Sequence, residues 1–285
     1  MPELPEVEAV RRGLEPVLAG ARLKRVIANR ADLRFPLPAN FAARLEGARI
    51  DSLARRAKYL LAALDTGETL AMHLGMSGRF TIVEAARQPG DFYYSVPPDP
   101  AHTHVVFETE AGGRVEYNDP RRFGYMDLIP TGALGAHKLF AALGPEPLGN
   151  EFNADSLATG FRGRKQNVKA TLLDQRVVAG LGNIYVCEAL HRAGISPRRA
   201  AGRVTAAQRE KLVRAVRTVL GEAIEAGGSS LKDYARADGA LGYFQHRFRV
   251  YDREGQACQT KECDGVIRRI AQAGRSTFYC PRCQH

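Results

Sequence analysis

Four cysteines near the carboxyl end of the chain have the spacing of a metal site. They form a C-x4-C pair, sixteen intervening residues and a C-x2-C pair. Four thiolates complete the tetrahedral coordination of Zn²⁺ and leave no position for water, so the predicted site is structural. The segments VIRRI and STFYC between the pairs can form a hairpin around one zinc ion per chain. The predicted ligands are Cys258, Cys263, Cys280 and Cys283.

The amino terminus reads MPELPEVE and concentrates two prolines and three carboxylates in eight residues. Apolar residues then recur at spacings of three and four, which predicts an amphipathic helix over residues 5–18. Proline is favoured at a helix start, and a carboxylate in the first turn, such as Glu6, favours the helix dipole. The composition alone also fits an ordinary solvated terminus.

The segment DPRRFGY, residues 119–125, places two arginines beside an aromatic ring and a glycine. One interpretation is an exposed turn. The other is a loop that inserts Phe123 between DNA bases, because apolar wedges unstack and kink a duplex. The segment HLGMSG, residues 73–78, supplies a second candidate wedge in Met76, for which a core methionine is the alternative.

The charge of the chain favours a polyanionic partner. Its 285 residues include 41 Lys and Arg against 31 Asp and Glu, a net charge of +10. Residues 161–176 carry five basic side chains against one Asp, and residues 235–285 carry nine against five acids. Basic stretches of this kind are typical of nucleic-acid binding.

Membrane insertion and secretion are not indicated by the sequence. No apolar run approaches the roughly 20 residues that a membrane helix needs, and the amino terminus lacks the pattern of a secretory signal. We therefore expect a cytoplasmic protein, in which clustered cysteines bind metal more readily than they form disulfides.

The first third of the chain has the pattern of β-structure. Segments 60–74 and 104–118 each place a Gly-containing turn between β-prone runs, and several short strands of this kind predict a sandwich or a barrel. These strands follow the amino-terminal helix directly.

From about residue 134 the pattern becomes helical. Apolar segments 168–173 and 184–190 are joined by a glycine-containing turn, which predicts a helix, turn, helix unit. A capping box at Thr205 and Gln208 opens a longer helix. The glycine-rich segment 227–244 then predicts a long loop of the kind that is functional or disordered.

Six motifs together resemble those of the formamidopyrimidine-DNA glycosylases. PELPEVE, RRAKYL, HLGMSG, DPRRFG, GLGNIY and the four-cysteine finger occur in the order of that family, along essentially the whole chain. The resemblance implies an α+β fold. It consists of an N-terminal catalytic β-sandwich domain with a leading helix (1–133), a helix-two-turns-helix DNA-binding domain (134–234), and a loop with a C-terminal β-hairpin zinc finger (235–285). DNA is expected in the cleft between them.

The same resemblance implies a base excision repair enzyme that acts as a monomer on double-stranded DNA. It would remove 8-oxoguanine and formamidopyrimidines, and its lyase activity would cleave the strand at abasic sites by β,δ-elimination. Such an activity is expected in the cytoplasm of a bacterium, in association with the nucleoid. The segment 227–244 corresponds to the part of the family that closes over the extruded base.

The resemblance gives the opening residues a chemical role. Removal of Met1 would leave Pro2 as a terminal secondary amine, whose pKa near ~8 allows a nucleophilic fraction at neutral pH. Attack on C1′ of the deoxyribose yields a Schiff base with no N–H to lose, so it stays cationic and withdraws electrons for strand cleavage. Glu3 would protonate the opening sugar, and Glu6 would lie near the damaged base.

The remaining site residues follow from the matched motifs. Lys58 corresponds to a basic residue that contacts phosphate and assists β-elimination, and Arg275 to one tied to δ-elimination. His73 corresponds to a phosphate contact, although a buried hairpin histidine fits its position as well. Met76, Arg121 and Phe123 correspond to the side chains that fill the gap left by the everted base. The predicted DNA-binding residues are His73, Met76, His102, Arg121, Phe123, Arg164 and Asn183.

Two alternatives and one departure accompany this interpretation. An endonuclease VIII-like glycosylase for oxidised pyrimidines shares Pro2, Glu3 and the finger, but the full set of gap-filling residues argues against it. A catalytically inactive DNA-damage-binding relative would have no need of Pro2, Glu3 and Lys58.

The family finger begins C-x2-C, whereas this one begins C-x4-C and so predicts an enlarged first knuckle. Cys187 is expected to be a core residue.

Overall fold

The computed structural model describes residues 2–83, 99–229 and 243–285. Their contacts group the chain into two compact units. The first comprises Met1–Ala141 with Ala226–Tyr243, and the second comprises Ala142–Glu225 with Phe244–His285. The helical segments and the finger therefore share one unit, while the three-domain division drawn from the sequence stays a prediction.

The first unit opens with helix α1, Leu4–Leu18. The Glu6 carboxylate accepts the backbone N–H of Glu3 at 2.9 Å and so caps the first turn. Val7, Val10 and Leu14 are buried along one face of the helix. The predicted amphipathic helix is confirmed, because its apolar spacing matches the face that it buries.

Eight antiparallel strands of this unit form two four-stranded sheets. One sheet has the order β1-β6-β7-β5 and the other β2-β3-β4-β8. Their apolar faces share a core with α1 and the short helix α2, Phe41–Leu45. The fold is therefore a β-sandwich, as predicted. The strands are β1 Leu23–Ala28, β2 Ile50–Arg56, β3 Tyr59–Leu64, β4 Glu68–His73, β5 Arg79–Val83, β6 Thr103–Thr109, β7 Arg114–Asn118 and β8 Tyr125–Pro130.

Both hairpins that the sequence predicted are present. Strands β3 and β4 pair across the turn at residues 65–67, and β6 and β7 pair across the turn at 110–113. A glycine-containing turn between two β-prone or apolar runs was sufficient to predict these local pairings.

The second unit contains four helices and the finger hairpin. The helices are α3 Ala154–Phe161, α4 Val168–Leu172, α5 Asn183–Arg192 and α6 Ala206–Glu225. The predicted capping box is present, since Gln208 accepts the Thr205 N–H at 3.1 Å and Thr205 accepts the Gln208 N–H at 3.3 Å. Most of the predicted loop at 227–244, residues 230–242, lies outside the described part of the chain.

Strands β9, Arg268–Gln272, and β10, Arg275–Tyr279, form the predicted finger hairpin. Its two-residue turn has positive φ at Ala273 (49°) and Gly274 (70°), the backbone of a type I′ turn. The hairpin packs through Phe278 and Ile267 against Cys187 of α5, which is buried as expected. Among the helices described, none combines the length and apolar character required to cross a membrane.

Candidate functional site

The amino-terminal corner of the first unit is buried. Pro2 is buried, and Glu3 is 3% exposed. Glu3 has an extended backbone (φ −101°, ψ −171°), so the chain leaves the helix axis at this residue and Pro2 lies outside the first turn. Pro2 and Glu3 are therefore held at the buried start of a helix rather than on a solvated tail.

Glu6 ties this corner to the segment that begins at Gly228. Its Oε1 accepts the Ser229 backbone N–H at 2.8 Å and the Ser229 hydroxyl at 2.9 Å. Gly228 has a positive φ of 84°, and a side chain there would crowd Glu6. The carboxylate thus connects the helix start to the beginning of the loop predicted to close over an extruded base, a role that the sequence alone did not indicate.

Replacing Glu6 with Gln is expected to lower the free energy of unfolding by about 1–3 kcal/mol, because an amide cannot accept at every buried donor that the carboxylate serves. Urea denaturation measures this change. Glu15→Gln, on the exposed part of the same helix, is the control and should change the stability by less than about 0.5 kcal/mol. Equal effects of the two substitutions would contradict a special role for Glu6.

Lys58 occupies a two-residue hairpin between β2 and β3. The preceding Ala57 has φ 53°, a left-handed conformation that costs energy in any residue other than glycine. Lys58 is only 7% exposed, so little of its side chain reaches solvent. A strained turn beside a buried lysine fits a positioned group better than a mobile surface charge.

The HLGMSG and DPRRFG segments form two adjoining loops that are held by one buried carboxylate. Asp119 accepts the Ser77 hydroxyl at 2.6 Å and the Gly124 N–H at 2.8 Å. A side chain at Gly75 would overlap the backbone of residues 123 and 124. Asp119 was part of a recognised motif, but its function as the common anchor was missed because it depends on packing between the two loops.

The three predicted gap-filling side chains lie on these loops. Met76 is 37% exposed and Phe123 is 41% exposed, whereas most methionines and phenylalanines of the described chain are buried. The guanidinium carbon of Arg121 lies 4.9 Å from the Phe123 ring centroid, a cation–π distance. The neighbouring Arg122 has φ 54°, a second left-handed residue at a predicted functional loop. Met76 is therefore not a core methionine.

His73 is held inside the aromatic cluster at the end of β4. Its ring stacks on Tyr125 with centroids 5.2 Å apart, and Nδ1 accepts the Gly75 N–H at 3.0 Å. Burial, with the positive charges of Lys58 and Arg34, lowers the pKa of His73 to about 4, so the ring is neutral at neutral pH. The structure places His73 as a half-buried histidine at the end of its hairpin strand. Its phosphate contact stays a prediction, as does that of His102, whose Nε2 lies 3.9 Å from Asp99.

The second unit carries the other predicted DNA contacts. Arg164 pairs with Asp174 at 3.2 Å, and Asp174 also pairs with Arg176 at 2.9 Å. Hydrogen bonds from Arg176, together with Arg164, lower the pKa of Asp174 to about 2. Asn183, the first residue of α5, donates from Nδ2 to the Ser276 carbonyl at 2.9 Å. Ser276 follows Arg275, so the predicted phosphate ligands Asn183 and Arg275 lie at one junction of helix and finger.

A second anchor on α5 was missed by the sequence analysis. The fully buried Glu188 accepts the backbone N–H groups of Arg249, Val250 and Tyr251 at 2.9–3.0 Å. A carboxylate within an otherwise apolar helical segment was the available indication. The Glu188 carboxylate fixes the chain immediately before the finger.

The four cysteines converge as predicted. Their sulfur atoms lie within 4.8 Å of one another, with 3.8 Å between Cys258 and Cys283 and 3.7 Å between Cys263 and Cys280. Tetrahedral zinc with Zn–S bonds near 2.3 Å requires sulfurs about 3.8 Å apart. The enlarged C-x4-C knuckle therefore still delivers both of its sulfurs to one ion.

Ionisation of all four thiols together requires a nearby cation. Burial alone would raise the pKa of Cys258, but hydrogen bonds from Thr260 lower it to about 7. Burial and the neighbouring thiols raise the pKa of Cys283 to about 12. Four adjacent thiolates do not ionise together without compensating charge, and Zn²⁺ supplies it. The finger thus holds one structural zinc ion.

Comparison with known proteins covers all three parts of the chain. The formamidopyrimidine-DNA glycosylase N-terminal domain matches residues 1–126, the formamidopyrimidine-DNA glycosylase H2TH domain matches 143–235, and the zinc finger found in FPG and IleRS matches 255–285. The formamidopyrimidine-DNA glycosylase of Caulobacter vibrioides is 65% identical over 286 residues, which is 100% of each chain.

Solved structures agree with this sequence match. The MutM (Fpg) protein from Thermus thermophilus superposes with a TM-score of 0.85 at 41% identity, covering 99% of this chain and 98% of that one. A Lactococcus lactis Fpg mutant, in complex with a Fapy-dG containing DNA, gives a TM-score of 0.86 at 32% identity with complete coverage of both chains. The chain belongs to the formamidopyrimidine-DNA glycosylase family.

Proposed function

We propose that this protein is a base excision repair enzyme that removes 8-oxoguanine and formamidopyrimidines from duplex DNA and then cleaves the strand. The observation that carries the proposal is the buried Pro2–Glu3 pair at the start of α1. A terminal secondary amine held beside a carboxylate supplies both a nucleophile and an acid, which a DNA-binding protein without catalysis would not need.

The reaction begins when the Pro2 nitrogen lone pair bonds to C1′ and the bond from C1′ to the damaged base breaks. The base leaves with the electron pair of that bond and takes up the proton that the Pro2 amine loses. Glu3 donates a proton to the sugar ring oxygen as the ring opens, and a cationic Schiff base forms between C1′ and Pro2. Removal of a C2′ proton then expels the 3′ phosphate by β-elimination. A second elimination expels the 5′ phosphate, and hydrolysis releases the amine.

Two basic residues complete the proposed chemistry. Lys58, buried at its strained hairpin turn, contacts backbone phosphate and assists β-elimination. Arg275 lies directly after the hairpin turn of the finger, exposed to solvent, and serves δ-elimination. A guanidinium suits this role because its planar fork donates two hydrogen bonds to one phosphate.

DNA binding is distributed over both compact units. His73, His102, Arg164 and Asn183 contact phosphates, while Met76, Arg121 and Phe123 fill the space of the everted nucleotide. Base eversion is required because the reacting C1′ and the damaged base are inaccessible in a stacked duplex. The three-domain division, a monomeric state, a cytoplasmic location and activity associated with the nucleoid belong to the same proposal.

Cleavage of defined duplexes tests the proposed function. The substrates carry 8-oxoguanine opposite each of the four bases, thymine glycol or an abasic site, under single-turnover conditions. We expect excision of 8-oxoguanine to exceed that of thymine glycol. Preference for thymine glycol would instead support an endonuclease VIII-like enzyme, and binding without cleavage or borohydride trapping would support an inactive damage-binding relative.

Arg121→Ala is expected to narrow the ratio of 8-oxoguanine excision opposite cytosine to excision opposite adenine. Arg121 can donate to the acceptors of an orphaned cytosine, which adenine does not present in the same arrangement, and such a contact is worth about 1–3 kcal/mol of discrimination. Single-turnover rates opposite the two bases measure the ratio, and cleavage of an abasic site should persist.

Arg122→Ala is the matched control, since it removes the same charge from the same loop. Arg122→Ala should weaken DNA binding without changing the ratio of the 8-oxoguanine excision rates opposite cytosine and adenine. Equal wild-type rates opposite the two bases would show that Arg121 does not read the opposite strand.

A further inference from the structure

His191, in the last turn of α5, lies against the zinc cysteines. Its side chain is 4% exposed, and Nε2 is 3.4 Å from the Cys258 sulfur and 3.8 Å from the Cys283 sulfur. No sequence motif pointed to this residue. The imidazole belongs to the same compact unit as the finger, and Nε2 is the ring atom directed at the cysteine sulfurs.

The surroundings of the ring determine which nitrogen carries the proton. Nδ1 is buried and has no hydrogen-bond partner within residues 2–83, 99–229 and 243–285. A buried N–H without an acceptor costs more than a buried lone pair, and zinc-bound thiolates offer only acceptors. The proton therefore belongs on Nε2, where it is directed at sulfur.

Thr260 provides a second donor, a hydroxyl group, next to the ring. It lies inside the C-x4-C knuckle, with Oγ1 3.3 Å from His191 Nε2 and 3.8 Å from the Cys283 sulfur. The additional residues of the enlarged knuckle thus place a hydroxyl between the imidazole and the second cysteine pair. Thr260 is exposed, so its substitution is not expected to disturb a core.

We propose that His191 and Thr260 are positioning residues of the zinc site. His191 Nε2–H donates to the Cys258 thiolate, and the Thr260 hydroxyl donates to the Cys283 thiolate. Four thiolates and Zn²⁺ together carry a net charge of −2, which the two donors partly offset inside a cluster of two buried and two half-buried cysteines. The same bonds fix the orientation of the Cys258 and Cys283 sulfurs relative to α5. Neither His191 nor Thr260 takes part in excision.

The position of His191 on α5 gives these bonds a wider structural effect. Asn183 at the start of the helix holds the hairpin through Ser276, and Glu188 holds residues 249–251. His191 adds a third attachment at the zinc ligands. Helix α5 thereby fixes three parts of this region: the residues before the finger, the hairpin and the zinc ligands.

Zinc affinity of the full-length protein tests the proposal directly. His191→Phe keeps the volume of the ring and removes the N–H, and it should weaken zinc binding about 10–100-fold in competition with a chromogenic chelator. His191→Gln, whose amide N–H reaches the position of Nε2, should recover most of the affinity, whereas His191→Asn should not. His104→Phe, at an equally buried histidine of the sandwich, should leave zinc affinity unchanged.

A spectroscopic measurement separates hydrogen bonding from packing. In the cobalt(II)-substituted protein, loss of an N–H···S bond raises the energy of the sulfur electrons, so the thiolate-to-metal charge-transfer band of His191→Phe should move to longer wavelength. Thr260→Val should produce a smaller shift in the same direction. Thr260→Ser keeps the hydroxyl and should leave the band unshifted. The two Thr260 variants still test the proposal if His191→Phe fails to fold. Wild-type zinc affinity and an unshifted band in His191→Phe, or in Thr260→Val where only that variant folds, would overturn the proposal.

Discussion

The purified protein is expected to lack Met1 and to form a borohydride-trapped covalent adduct with lesion-containing DNA through Pro2. Pro2→Gly keeps a terminal amine but replaces a rigid secondary amine by a flexible primary one. A displacement of the nucleophile by about 1 Å can cost on the order of 10²-fold in rate, and we expect trapping to fall by at least that much. Single-turnover trapping followed by gel electrophoresis measures the change.

Pro5→Ala is the control for this prediction. Pro5 lies in the first turn of the same helix and is buried, but its nitrogen belongs to an internal peptide bond and cannot act as the nucleophile. The Pro5→Ala variant should form the adduct at close to the wild-type rate. Intact-mass measurement of fully active enzyme that retains Met1 would show that Pro2 is not the nucleophile.

Cys280→Ser is expected to reduce the zinc content from one ion per chain to nearly none and to weaken binding of lesion-containing DNA strongly. Structural zinc contributes about 10–16 kcal/mol to the folding of small metal-organised units, and the finger hairpin has little core apart from its cysteines and Phe278. Metal analysis and a DNA-binding titration, performed on the same preparation, measure both effects.

Cys187→Ala separates zinc ligation from packing. Cys187 is buried in the same apolar cluster, but it is not one of the four converging sulfurs. The Cys187→Ala variant should keep one zinc ion and most of the DNA affinity. Full DNA affinity in a demonstrably zinc-free wild-type preparation would mean that the finger does not depend on its metal.

Features encoded by neighbouring residues were predictable without the structure. The period of Val7, Val10 and Leu14 predicted α1, and glycine between β-prone runs predicted the hairpins of the sandwich. The spacing of the cysteines predicted the zinc ligands despite the enlarged knuckle, because each pair needs only a short turn to direct two sulfurs at one ion. The order of six motifs was enough to indicate the family.

Contacts between distant parts of the chain became visible only in the tertiary structure. Glu6 and Ser229 are 223 residues apart, His191 and Cys258 are 67 apart, and Ser77 and Asp119 are 42 apart. No periodicity or turn preference encodes such pairs, since each depends on how separate elements pack. Local sequence patterns were enough to predict the individual helices and hairpins and the metal ligands. Packing decided which carboxylate anchors each loop and which histidine faces the zinc site. A buried polar group needs a hydrogen-bond partner, and only the folded chain shows which partner lies beside it.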